Sequence, residues 1–315
     1  MIPVLNIDLY DKVIKLGDYY IKKFDEKTLE EWGITNRIRE VIYKKFLDKS
    51  CLVIKEEGNN RSLVCDRARE KAYFLIKVLK VSLAKSRLLH DWQFLYHQDA
   101  WAASKLVDKN DTVKFSWKRP HVPINLEFGD KLEEDLLEFL DKIKIIITEN
   151  KIHPSIKKSF NNALTWVGRA LEEKDLDIRI IYLSTALESI LTTISDIKKG
   201  EALAYRMLLL NTFLDAPFIH PARILYIYEL RSKIIHGSEL YVATKSDYYT
   251  MRSIAIDTIE YALSIIENES INRKSEFITL LELQEEKRIQ ILEWLRLQGD
   301  KRSISIANYM EENIK

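Results

Sequence analysis

An arginine and a histidine near the end of one apolar helix are the residues best placed to do chemistry in this sequence. They are Arg231 and His236, in the stretch 221–237, PARILYIYELRSKIIHG. Five residues apart, they stand about 140° apart around a regular helix axis. The long arginine can still reach along the axis toward the histidine. His236 falls in the last turn, where the negative end of the helix dipole favours an imidazolium. An imidazole there suits proton transfer near neutral pH. The residues alone also allow a plainer reading, in which both side chains satisfy the last helix carbonyls.

The neighbouring residues add weight to the chemical reading. The run Arg231-Ser-Lys-Ile-Ile-His236-Gly237 resembles the R-x4-H motif of the HEPN superfamily, and the wider stretch resembles its Apea-like branch. Upstream, Leu183-Ser-Thr-Ala-Leu187-Glu188 resembles that branch's "aLE" helix. Leu203-Ala-Tyr-Arg206-Met-Leu-Leu-Leu resembles its middle helix, and Tyr228, three residues before Arg231, also fits. The resemblance spans roughly residues 155–268.

That resemblance implies a short helical bundle that dimerises through the motif-bearing helix. It implies a metal-independent endoribonuclease with no cofactor, whose Arg/His pair meets its symmetry mate in one composite cleft. His236 would be the general base or acid at the ribose 2′-OH. Arg231 would bind the scissile phosphate and stabilise its developing charge. RNA carries its own nucleophile, so an imidazole and a fixed cation suffice, and the products would end in 2′,3′-cyclic phosphates. Such proteins often serve as antiviral defence or toxin effectors, so RNA, a second copy and a regulatory protein or phage-derived trigger are the implied partners. One residue departs from the pattern: Ser232 follows the arginine, where active members often carry Asn, Asp or His. The alternative is a non-catalytic dimerisation or RNA-binding module with the same bundle.

Glu188 is a carboxylate on an otherwise apolar face with Leu183, Leu187 and Leu191. A buried carboxylate needs a partner. Arg231 and Arg206 are the candidates, and the expected role is to hold the arginine.

The elements that must position these groups follow from composition. The chain has 8 glycines and 6 prolines in 315 residues. Most tight turns use one of those two residues, so long helices joined by short loops are expected. The fold class expected is mainly α: a mixed α/β N-terminal domain over 1–130, sensing or regulatory, followed by an all-α bundle over 131–315. In the first, residues 8–24 and 27–48 show helical spacing, and 51–66 reads as a β-hairpin around Glu57-Gly58-Asn59-Asn60. Residues 67–107 read as helix, and 112–128 as extended, since Pro120 and Pro123 exclude helix. In the second, helices are expected at 131–148, 155–173, 176–198, 201–213, 221–236, 247–268, 273–298 and 302–314. Pro154 and Pro221 fit first helical positions, Gly237 fits a left-handed cap, and Ser246-Asp247 can cap the next helix.

Charge narrows the function classes. With 49 Lys+Arg against 48 Asp+Glu, the net charge of +1 excludes a generic polycation that coats nucleic acid. Residues 1–130 hold 24 basic and 19 acidic side chains, and 131–315 hold 25 and 29, so attraction for phosphate is local or N-terminal. Two cysteines, Cys51 and Cys65, and no signal-peptide pattern lead to the expectation of an intracellular protein with reduced thiols. No apolar run approaches the roughly 20 residues that span a bilayer, so a soluble, cytoplasmic protein without membrane contact is expected. His90 and His97 share a helical face, but spacing supplies no third metal ligand. The stretch Phe115-Ser-Trp117-Lys118-Arg119-Pro-His121 mixes aromatics and cations, which suits base stacking and phosphate contact, but an edge strand with a solvated basic end is the favoured reading.

Overall fold

The computed structural model describes residues 2–3, 7–8, 13–16, 19–23, 25, 27, 50–85, 126–127, 137–144, 146 and 152–313, without 218 and 238–241. The chain divides into two compact units, Met1–Thr148 and Glu149–Lys315. Helix predominates among the described residues, and the strands all lie in the first unit. The mainly α class therefore holds.

The first unit contains strands β1 (Ile2–Pro3), β2 (Ile7–Asp8), β3 (Val13–Leu16), β4 (Tyr19–Lys23), β5 (Ser50–Val53) and β6 (Leu126–Glu127). β1, β5, β4 and β3 lie side by side in that order, all antiparallel, and β2 pairs with β6 in parallel. Ile14 stands opposite Ile21, and Ile21 opposite Leu52, so the register stacks three buried apolar residues across the sheet.

This corrects the helix expected over 8–24. The apolar residues there also satisfy period two, with Val13 and Lys15 exposed about a buried Ile14. Val, Ile and Tyr favour the pleated alternative. The expected hairpin over 51–66 is corrected as well. β5 ends at Val53 and pairs with β4 and β1, and helix α1 (Arg61–Lys85) follows. The Asn60 side chain accepts the Leu63 N–H at 3.2 Å, and its carbonyl accepts the Val64 N–H at 3.0 Å. The Gly-Asn-Asn segment thus leads into a helix cap rather than a β-turn. Cys51 is buried on a strand and Cys65 lies on the helix, neither in a disulfide, so they do not face each other across a hairpin. The expected helix at 27–48, the part of 67–107 beyond 85, and most of 112–128 lie outside the described residues.

The second unit is a helical bundle: α2 (Pro154–Glu172), α3 (Leu176–Leu191), α4 (Lys199–Phe213), α5 (Pro221–Ile235), α6 (Lys245–Asn268), α7 (Lys274–Glu282), α8 (Glu285–Gln298) and α9 (Lys301–Asn313). Pro154 and Pro221 open their helices as expected, behind His153 and His220, whose rings accept backbone N–H groups. The start of α6 differs. Thr244 is its cap, and Asp247 completes a reciprocal box three residues on, while Ser246 takes no part. The expected helix 273–298 is two, α7 and α8, broken at Leu283 and Gln284.

α4 is the axis of this unit. Every residue from Ala202 to Asn211 is buried, and α4 packs on α5, α7, α9, α3 and α6. A helix apolar nearly all round has no solvent face to keep. α3 in turn packs on α2, α6 and α5. This sandwiching brings the end of α3 beside the middle of α5, where the candidate residues sit.

Candidate functional site

The site is built from i and i+3 positions of α5 facing the last turn of α3. Tyr228 and Arg231 are one such pair, and neighbours at this spacing share a helix face. The Tyr228 hydroxyl donates to Glu188 Oε1 at 2.7 Å. Arg231 Nη2 stands 3.5 Å from the same oxygen, and the guanidinium lies 5.5 Å from the centre of the Tyr228 ring. Glu188 therefore holds Arg231 directly and through the ring on which the cation rests. The partner left open between Arg231 and Arg206 is Arg231.

Burial decides how strongly these contacts act. The side chains of Glu188 and Arg231 are 16% and 25% exposed, so their attraction is only partly screened. Burial pushes the Tyr228 phenol well above its usual range, and the hydrogen bond to Glu188 adds to this. The phenol therefore stays a proton donor throughout the working pH range. Arg231 is not saturated: its Nε is buried and has no hydrogen-bond partner. A guanidinium carries five donors in a planar fork, and with the side chain 25% exposed its reachable edge, rather than the buried Nε, keeps capacity for an anion.

The first turn of α4 seals the back of the cluster. A Cβ built on Gly200 would stand 2.8 Å from Cδ1 of Tyr228 and 2.9 Å from Cδ1 of Leu225. Only glycine lets the α4 backbone lie this close to the tyrosine ring.

His236 sits one turn beyond Arg231 as the cap of α5, with φ −80° and ψ 0°, and its side chain is exposed. Its N–H donates to the carbonyl of Ser232 at 3.1 Å, and the next N–H, of Gly237, donates to Ile234 at 3.1 Å. Gly237 has φ +66°, the left-handed conformation that glycine adopts at least cost and that ends the helix here. Ser232 is half-buried on the same turn. A partly sheltered cation and an exposed imidazole thus flank one helix end.

Arg206 serves a different cluster. Its Nη1 and Nη2 bind the two oxygens of Asp196 at 2.5 and 3.0 Å, its Nε binds Glu282 at 2.7 Å, and Nη1 also binds the Leu191 carbonyl at 2.9 Å. Here burial pushes Asp196 up, but the Arg206 hydrogen bond and the Thr193 N–H outweigh it and hold the carboxyl below its usual range. This explains why α3, expected to continue to 198, stops at Leu191. Asp196 draws the following loop back onto Arg206, which covers the last helix carbonyl.

Sequence reasoning did not single out Asp196, Glu282 or Lys274, which all meet at this end of α3. Apart from the Thr193 N–H beside Asp196, these contacts reach partners from 10 to 86 residues away, and no local spacing marks them. His90, His97 and the Phe115–His121 stretch lie outside the described residues. Among the described residues, no group of three or more His, Cys, Asp or Glu could hold a metal ion, and no helix is long and apolar enough to cross a membrane. In the first unit, a groove between β3 and the helical stretch 137–144 is lined by Val13, Lys15, Leu137, Glu138, Asp141 and Lys144. Three of its charges pair locally, Lys144 with Asp141 at 3.7 Å and Glu138 with Lys142 at 3.0 Å.

Compared with known proteins, the chain matches no family model, no curated protein and no solved structure.

Proposed function

We propose that the chain is a metal-independent endoribonuclease of the HEPN type, acting as a homodimer through a composite Arg231/His236 site. The observation that carries this is the convergence on Glu188. Tyr228 and Arg231, picked out by their place in one motif, meet a carboxylate 40 residues upstream of the tyrosine that the same resemblance picks out. An arginine seated this way is pre-oriented, which lowers the cost of binding a phosphate in one geometry.

The chemistry follows from the partly sheltered guanidinium and the exposed imidazole. His236 removes the proton of a ribose 2′-OH, and the freed oxygen attacks the adjacent phosphorus. The bond from phosphorus to the 5′-oxygen breaks, and that oxygen takes a proton from the symmetry-related histidine of the second copy. Arg231 stabilises the charge that builds on the non-bridging oxygens. The products are a 2′,3′-cyclic phosphate and a 5′-hydroxyl. A second reading, a non-catalytic RNA-binding or dimerisation module, draws on the Glu188–Arg231 pair itself, since a paired arginine also serves structure alone.

The two readings separate in one assay. Wild type, Arg231→Ala and His236→Ala are incubated with structured RNA in EDTA, and toxicity in cells is scored beside cleavage. Cleavage by wild type that both variants lose by at least 100-fold is the expected outcome. Equal cleavage by all three, or neither cleavage nor toxicity for wild type, contradicts the nuclease.

A further inference from the structure

Lys274, the first residue of α7, reaches across to the end of α3. Its Nζ donates to the Ser189 carbonyl at 2.7 Å and to the Glu188 carbonyl at 3.4 Å. These are two of the last carbonyls of α3, the negative end of its dipole, and an ammonium is favoured there. The second carbonyl belongs to the residue whose side chain holds Tyr228 and Arg231. Thr192 adds to the same carbonyl, its hydroxyl donating at 2.9 Å. One lysine therefore ties a separate helix to the backbone of the residue that positions the candidate catalytic arginine.

The surroundings make this ammonium costly to keep. Lys274 is packed between elements, facing Arg206 and Lys199 of α4, Asp196 of the intervening loop and Glu188 of α3. Glu282 of its own helix is committed to Arg206 at 2.7 Å. Arg231, on α5, stands behind Glu188.

We propose that Lys274 is a positioning residue for the Glu188–Tyr228–Arg231 cluster, clamping the end of α3 while it is protonated and releasing it in alkaline solution. Burial, aided by the Arg206 charge and opposed by the pull of Asp196 and Glu188, lowers the ammonium from its usual range to about 8. The neutral amine keeps two N–H donors but loses the charge that the helix end attracts, so both bonds to the carbonyls weaken. The last turn of α3 then loosens, and with it the seat of Arg231. For its effect on catalysis the clamp rests on the ribonuclease reading above, but its structural part does not.

The test uses the full chain with 13C-labelled Lys and Glu, followed by NMR from pH 6 to pH 10. The Lys274 Cε signal should titrate with a midpoint near 8, and the Glu188 carboxylate signal should move with the same midpoint. Lys274→Met should abolish the Glu188 step, and Lys274→Arg should keep its signal unchanged over that range. If the wild-type Glu188 signal does not move, or moves equally in Lys274→Met, the clamp is refuted. The wild-type titration decides the matter even if the methionine variant does not fold. In EDTA, cleavage by wild type relative to that by Lys274→Arg should fall several-fold through the same midpoint. Absence of cleavage at every pH counts against the ribonuclease alone, and the Glu188 signal then judges the clamp by itself.

Discussion

At the scale of single residues, Glu188 is the anchor on which Tyr228 and Arg231 converge. One oxygen serves both the Tyr228 hydroxyl and the Arg231 fork. Removing it leaves a partly buried guanidinium and a half-buried phenol without their acceptor. Glu188→Ala is therefore expected to lose about 2 kcal/mol of stability, in the range for a buried group stripped of its partner. Glu188→Gln keeps an oxygen for the tyrosine but not the charge for the arginine, so it should lose roughly half as much. Urea denaturation of the three proteins checks this. The reverse order, with the alanine variant the more stable, would mean that Glu188 is a liability tolerated by the fold. Arg231 contributes a second point at this scale: its buried, unpartnered Nε is a donor that the folded chain leaves unused.

At the scale of elements, the site exists because three helices stop or start in the right places. α3 ends at Leu191 under Arg206 and Lys274, α5 ends at a left-handed Gly237, and α4 begins with Gly200 against Tyr228. Gly200 gives an element-scale test. In an open helix, Gly→Ala stabilises by about 1 kcal/mol. Here the added methyl would meet the Tyr228 ring and Leu225 at less than 3 Å. Overpacking of this kind costs about 1–3 kcal/mol, so Gly200→Ala should lower the melting temperature, and a rise would show that α4 has room to move. The helix ends at Pro154, Pro221 and Gly237 were legible in the sequence, because proline and glycine act through the local backbone. The end of α3 was not, because it is imposed by Arg206, Asp196 and Lys274 from across the bundle. The β3–β4 strands were misread for a different reason: in so short a run, Val13-Ile14-Lys15-Leu16 fits either period, and pairing with Tyr19–Lys23 chose the strand. The Gly58-Asn59-Asn60 signal was a true chain break, but Asn60 turned it to a helix cap.

At the scale of the whole molecule, the chain assigns its parts unequally. The described strands belong to Met1–Thr148, and the Arg231, His236 and Glu188 set belongs wholly to Glu149–Lys315. A near-neutral net charge of +1 means that RNA would be held by a few placed groups rather than a diffuse basic field. Affinity for RNA should then depend on salt only weakly, since few counterions are released. The proposed reaction cuts RNA through the substrate's own 2′-hydroxyl, with Arg231 and His236 as its tools. The most direct test is the chemistry of the cut ends, read by mass spectrometry after incubation in EDTA with an RNA and with its 2′-O-methyl counterpart. The account predicts 2′,3′-cyclic phosphate and 5′-hydroxyl ends from the RNA, and no cut in the methylated strand. Ends bearing 3′-hydroxyl and 5′-phosphate, or cleavage of the methylated strand, would contradict it.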